Sequence, residues 1–361
     1  MSDLVMAMLF PFLRSSFLQA LEESGSVSTD TGWTPIHLEL EEQSGHFFMP
    51  LYLKEHSMGE YVFDHAWANA YHQNGLEYYP KLVTAVPFTP STGTRVRSHS
   101  QLGKQQCIHF LDEVIELAND VGASSWHLLF PSPEELALFD DPRLLKRSGV
   151  QYHWFNRGYD NFDAFLSSMT SRKRKMIRKE RSEVVKQEIT IEVLVGDEIT
   201  ADIWSLFYRL YERTYAKRNG TKGYLTQGFF MQIAATMPEQ IAMAVATKEN
   251  QPIACALYLF DNDTLYGRYW GSLEEFPYLH FELCYYRGIE FAIEKGLSRY
   301  DAGAQGEHKL VRGFEPVKTH SLHWIKHPEF KDAIARYLKS EDVGIEQHIE
   351  QAIEMLPFKK S

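Results

Sequence analysis

The feature that most limits what this chain can fold into is an internal repeat. IELANDVGASSW (115–126) recurs as IEFAIEKGLSRY (289–300), with Ile, Glu, Ala, Gly and Ser at matching places. PLYLKEH (50–56) resembles ALYLFDN (256–262), and LLKRSGVQYHWF (144–155) resembles LVRGFEPVKTHSLHWI (310–325). The three pairs keep their order, and their offsets of 206, 174 and 170 residues place about 30 extra residues in the first half, between Met58 and Gln106. The alternative is two unrelated α/β units with similar helix ends. A chain of 361 residues is long enough for two cores. The boundary is expected at the turn-rich RGYDN (157–161), giving domains 1–160 and 161–361, the second with C-terminal helices.

Each half reads as strands, a helix, a strand, a short helix and a strand. In the second half PIACALYLF and TLYGRYWG are strands by their β-branched and aromatic content, joined by a turn at Asp261, Asn262 and Asp263. Leu283, Tyr286, Glu290 and Ile293 mark a helix over Glu282–Lys295, ended by Gly296, after which SRYDAGA returns as a strand. A strand, a crossover helix and a neighbouring strand form a βαβ unit, so each sheet is mixed and partly parallel, of α/β (α+β) class.

Charge is unevenly placed. The formal balance of −11 disfavours a surface that tracks nucleic acid throughout, yet Arg172–Lys186 holds eight basic and two acidic residues. That segment is +6 and the remainder −17. Phe165, Met169, Met176, Ile177 and Val184 can share one helix face, leaving the basic residues outward, either simply solvated or bordering an anion-binding edge for a phosphate-bearing donor or RNA. Cys107, Cys255 and Cys284 are odd in number and far apart, which disfavours disulfides and structural zinc; no metal is expected. The apolar run Leu4–Leu13 follows Asp3 and is too short to span a bilayer, so no transmembrane segment is read and a cytoplasmic location is the default.

The run YWGSLEEFPYLHFELCYYRGIEFAIEKGLSRYDAGAQGEHK (269–309) resembles the second domain of the Fem peptidoglycan aminoacyl transferases. PFLRSSFLQALEESGS, YYPKLVTAVPFTPSTG, SRKRKMIRKER, LHFELCYYRGIE, DAGAQGEHK and RGFEPV resemble the bacterial FemAB-like group more closely, over about Phe10 to Ile325. The resemblance implies tandem duplicated domains of the GNAT acyltransferase fold and an N-acyltransferase. Fem ligases proper carry a long helical arm, for which Arg172–Ile325 has no room. Acyl-CoA is therefore the expected co-substrate and a small-molecule or peptide amine the expected acceptor. A tRNA bound by the basic helix 172–186, serving an aminoacyl-tRNA-dependent enzyme, and a catalytically silent module recognising cell-wall peptide are the alternatives.

In a GNAT-type fold the donor's pyrophosphate sits where a strand hands over to the central helix. Two segments fit. TPSTGTR (89–95) offers Thr92, Gly93 and Arg95, and GSLEEFPYLHFE (271–282) offers Gly271, Ser272, Tyr278 and Leu279. Arg174 and Lys175 are the expected donor contacts on the basic helix. Acyl transfer needs a base for the amine, donors for the carbonyl oxygen and an acid for the leaving group. The second half supplies His280, Glu282, Tyr285, Asp301, Gln305, Glu307, His308, Lys309 and Arg312 as candidates. Glu282, at the start of the central helix and facing the Asp301 strand end, is the first choice for the base; His308 is the second. Tyr78, Tyr79, Tyr266, Tyr269, Trp270 and Trp324 read as core or cleft lining.

Overall fold

The structure, a computed structural model, describes residues 10–304 and 306–359. It divides the chain into two units, each assembled from separate stretches. The first unit is Leu21–Val150 with Lys318–His348, and the second is Gln151–Val317 with 10–20 and 349–359.

In the first unit the sheet order is β1 (Trp33–Pro35), β4 (Tyr52–Lys54), β5 (Lys81–Thr84), β7 (Ser125–Leu129) and the end of β14 (Glu315–Ile325). All neighbours are antiparallel except β5 and β7, which are parallel and joined through helix Lys104–Asp120. A small sheet of β2 (Leu38–Glu42), β3 (Gly45–Met49) and β6 (Arg97–Ser98) completes the unit's strands. Cys107, Phe110, Leu111, Val114 and Ala118 repeat at helical spacing and bury one face of the helix against Leu82, Trp126 and Leu128.

The second unit runs from the end of β8 (Leu145–Phe155) through β13 (Arg299–Asp301), β12 (Thr264–Ser272), β11 (Gln251–Phe260), β10 (Ile241–Lys248) and β9 (Ile189–Val195). Its one parallel pair, β12 and β13, is again joined through a helix, residues 279–294. The helices expected to correspond close alike. Gly122 and Gly296 have φ of +70° and +69°. Ala123 N–H donates to Ala118 and Leu297 N–H to Ala292, both at 2.8 Å.

The division differs from the one expected at 160/161, because each half lends its last strand to the other unit. Ser321–Ile325 pair with Ser125–Leu129 in the first unit, and His153–Phe155 pair with Arg299–Asp301 in the second. Most of the first half's extra length lies in residues 55–80 between β4 and β5, where the second half has only the turn 261–263. That insertion brings Glu60, Asp64 and Tyr78 to a buried cluster with Lys81, His127 and His323.

Candidate active site in the second unit

β12 and β13 pair at Thr264–Tyr266 and Arg299–Asp301, after which β12 continues to Ser272 paired with β11 and not with β13. The ladder between β11 and β12 also shifts register: Leu257 faces Tyr269 and Tyr258 faces Gly267, leaving Arg268 as the extra residue of a β-bulge. The divergence opens a cavity of about 360 Å³. β12 lines it with Gly267, Arg268, Tyr269 and Trp270, the helix with His280, Cys284 and Tyr285, and the loop after β13 with Gly306 and His308. Arg218, near the end of helix Ala201–Asn219, completes the wall. The ends of parallel strands are where α/β sheets place ligands.

The helix over 279–294 is not regular, for Glu282–Tyr286 form a turn of π-helix. π-turns leave carbonyls in need of other donors. The Tyr258 hydroxyl donates to the Leu283 carbonyl, and the Tyr300 hydroxyl donates to that of Cys284 at 2.5 Å. The extra residue sends adjacent tyrosines to different partners. Tyr285 meets His308 Nε2 at 2.7 Å, while Tyr286 joins Glu180 and Arg312.

Both cavity histidines are pushed toward the neutral form. Burial, then Arg312 and Lys309, push His308 down. Burial pushes His280 down to about 3, aided by His308 and Arg218. Burial raises the Tyr285 phenol and the Cys284 thiol, so both keep their protons near neutrality. The His308 ring lies against Gly306, whose φ is +115°; a Cβ there would come within 2.5 Å of the imidazole.

The other catalytic candidates have structural partners. Glu282 is 3% exposed and accepts from Arg181 at 2.9 Å, with Arg287 Nε 3.1 Å away, so its carboxylate faces the basic helix and not the Asp301 strand end. Arg312 lies 3.5 Å from the Phe281 ring centroid and donates to Glu180, Tyr286 and the His308 carbonyl. Buried Asp301 accepts from Gly303 N–H at 2.9 Å and stands 3.6 Å from buried His153. Lys309, pushed down to about 8 by burial, ties the same loop by donating to the carbonyls of Ala302 and Gly303. Glu307 is exposed, and Gln305 lies outside the described residues. Tyr285 stood among the sequence candidates. Arg218 and Arg268 did not: nothing local marks a bulge or the place where a distant helix arrives.

The segment 271–282 has mixed fates. A Cβ on Gly271 would meet the Leu210 carbonyl at 2.5 Å, so this glycine serves strand–helix packing. Leu279 is fully buried, whereas Tyr278 is exposed at φ +63°. Ser272 and the residues through Pro277 line a groove of about 680 Å³ with Arg213 and Lys217, and it shares Arg218, Trp270 and His280 with the cavity. The TPSTGTR segment belongs to the first unit and offers no charge to a ligand. Arg95 is fully buried and donates to the carbonyls of Ser91, Gly93, Thr94 and Leu129. Gly93 N–H donates to Phe130, and the Thr92 hydroxyl is buried.

The basic segment is helix Ser171–Lys186, buried through Ile177, Glu180 and Val184. Arg178 pairs with Asp163, Lys186 with Glu183, and Arg181 with Glu282 and Glu290. Among the described residues Arg172, Arg174, Lys175 and Lys179 form no ion pair. Burial, Arg172 and Arg312 lower Lys173, and Arg312 also acts on His280 and His308. The basic helix and the cavity therefore lie in the field of one arginine.

Over residues 3–360 the sequence matches the model of the FemAB-like family, described as peptidoglycan biosynthesis/recognition. A search of curated proteins finds no match. Among solved structures, FemX is similar at TM-score 0.53 and 13% identity, covering 89% of this chain and 93% of that one. L-PGS from Bacillus licheniformis is similar at 0.53 and 12%, covering 90% and 95%. The C-terminal domain of a putative lysylphosphatidylglycerol synthetase from Agrobacterium fabrum gives 0.52 and 12%, covering 90% and 96%. At these identities the likeness is one of fold. Among the described residues no helix is long and apolar enough to cross a membrane.

Proposed function

The chain belongs to the FemAB-like family of peptidoglycan biosynthesis or recognition, and from that premise we propose that it transfers an acyl or aminoacyl group onto an amine in the cavity of the second unit. The observation that carries this reading is the convergence of His308, hydrogen-bonded to Tyr285, with His280 at the divergence of two parallel strands. The amine attacks the donor carbonyl, forming the C–N bond as the bond to the carrier breaks. His308 takes the amine proton and passes it to the departing thiolate or alkoxide. His308 carries this role better than Glu282, whose carboxylate is committed to arginines.

Acyl-CoA is the proposed donor and a peptidoglycan-type peptide amine the proposed acceptor, with transfer in the cytoplasm. The groove beside the cavity has room for a carrier of nucleotide size, and its wall carries Arg213 together with Lys217, Glu274 and Glu275, of which Lys217 pairs with Glu275. The longest helix wholly between Arg172 and Ile325 is Ala201–Asn219, so no helical arm is found there among the described residues. The second reading, aminoacyl-tRNA as donor, is favoured by one observation: the basic residues of helix Ser171–Lys186 that form no ion pair among the described residues. The test is a parallel assay of acyl-CoAs and charged tRNAs against a muropeptide carrying a free amine, read by mass spectrometry. A mass gain with one donor supports transfer and names the carrier. No product from either, with folded protein, sinks the reading.

A further inference from the structure

The cavity carries an excess of positive charge that acyl transfer alone does not require. Arg218 and Arg268 line it, and among the described residues its wall holds no aspartate or glutamate. The bulge brings Arg268 there. In an unbroken strand residues 267 and 269 would share one face and 268 and 270 the other, yet all four reach the cavity. The field acts on the lining as well. Besides burial, Arg218, Arg312 and Lys309 act against protonation of His280. Arg312 and Arg218 likewise favour the ionised form of Tyr285, against its burial.

Such a site repels an ammonium group and favours the free amine that acyl transfer needs. It also excludes an acceptor that brings only positive charge. Aromatic rings from Tyr258, Tyr269 and Trp270 form much of the remaining wall, and about 360 Å³ lies near the lower end of small-ligand sites, roughly 300–1,000 Å³. That space suits a group of amino-acid size more than a nucleotide.

We propose that the cavity binds a carboxylate of the acceptor, so that the acceptor is an amino acid or peptide end with a carboxylate within side-chain reach of the acylated amine, and that Arg268 and Arg218 are its anchors. A guanidinium fork matches the planar carboxylate, whose charge offsets the field the amine would otherwise meet. The inference rests on the acyl-transfer reading and names its acceptor class. The rival source of an anion is a phosphate of the donor. The pyrophosphate measurement below separates that source from the acceptor.

The test is calorimetric binding, without donor, of Nα-acetyl-L-lysine and its methyl ester, which share a free amine and differ by one charge. The acid is expected to bind at least about tenfold more tightly, ~1.4 kcal/mol. Arg268→Gln and Arg218→Gln should each remove most of that preference. Arg218 is exposed, so its variant keeps the test open if the Arg268 variant fails to fold. Equal binding of acid and ester, no binding of the acid, or a preference that survives both substitutions overturns the proposal. So does inorganic pyrophosphate that excludes the acid while binding more tightly, since it would give the site to the donor. Turnover does not enter this readout. A preference without transfer product sinks only the transfer reading, and product without preference sinks only this inference.

Discussion

Glu282→Gln separates a structural carboxylate from a catalytic one. The group is 3% exposed, accepts from Arg181 Nη2 at 2.9 Å and lies 3.1 Å from Arg287 Nε. Glutamine keeps an acceptor oxygen but removes the negative charge between two guanidiniums and turns an NH₂ donor toward one of them. Breaking a buried ion pair costs about 3–5 kcal/mol. Arg181 and Arg287 remain 22% and 32% exposed and both keep Glu290, so about 2–3 kcal/mol is the better figure. For a unit of about 200 residues, each kcal/mol lowers Tm by about 2–4 °C. The expected outcome is a Tm lower by roughly 4–12 °C, with turnover, measured well below the melt, within about tenfold of wild type. If Glu282 were the proton acceptor, the rate would fall by about 10²–10⁴ with little change in Tm. That second pattern, from thermal denaturation and initial rates on one preparation, would refute the assignment.

Three further outcomes follow from the partners described above. Arg95→Ala should destabilise the first unit by about 3 kcal/mol or more, since it strips four carbonyls of a buried donor, and should leave donor affinity unchanged in calorimetry. Charge reversal at Arg174 and Lys175 should weaken donor binding several-fold without moving Tm; the loss should steepen with falling salt if the donor is tRNA and stay shallow if it is CoA. Urea titration at varied pH should show the first unit losing stability as pH falls below about 6.5, where the unfolded chain protonates its histidines. Burial pushes His127 down to about 3 and His323 well below its usual value, so each contributes up to ~1.4 kcal/mol per pH unit. Burial acts to raise Asp64, but Lys81 holds it below the carboxylate range, adding to the acid loss. Glu60, pushed up to about 7 by burial, acts oppositely, its contribution lost as pH rises toward that value. A flat profile below pH 6.5 would contradict this.

How much of this was legible in the sequence depended on whether a signal was local. Gly122 and Gly296 gave away the ends of two helices, because a left-handed residue after an amphipathic run has few other uses. The buried face of the basic helix was readable from Ile177 and Val184, although Glu180 inside it was not: its partners Tyr286 and Arg312 arrive from more than 100 positions away. His280, Tyr285 and His308 were named as candidates and meet at the cavity. The partners of Glu282 were not legible, since Arg181 arrives from 101 positions away. Arg95 looked available because its acceptors are carbonyls, which leave no trace in side-chain identity. The exchange of end strands was hidden for a similar reason, since ladder partners are backbone groups.

The central claim is that the second unit's cavity performs the transfer with His308 as proton acceptor. Single-turnover rates of His308→Ala against wild type, with whichever donor gives product, test it most directly. The account predicts a loss of about 10²–10⁴ in rate, with Tm and donor affinity near wild type. An unchanged rate in correctly folded His308→Ala would contradict it and move the chemistry elsewhere in the molecule.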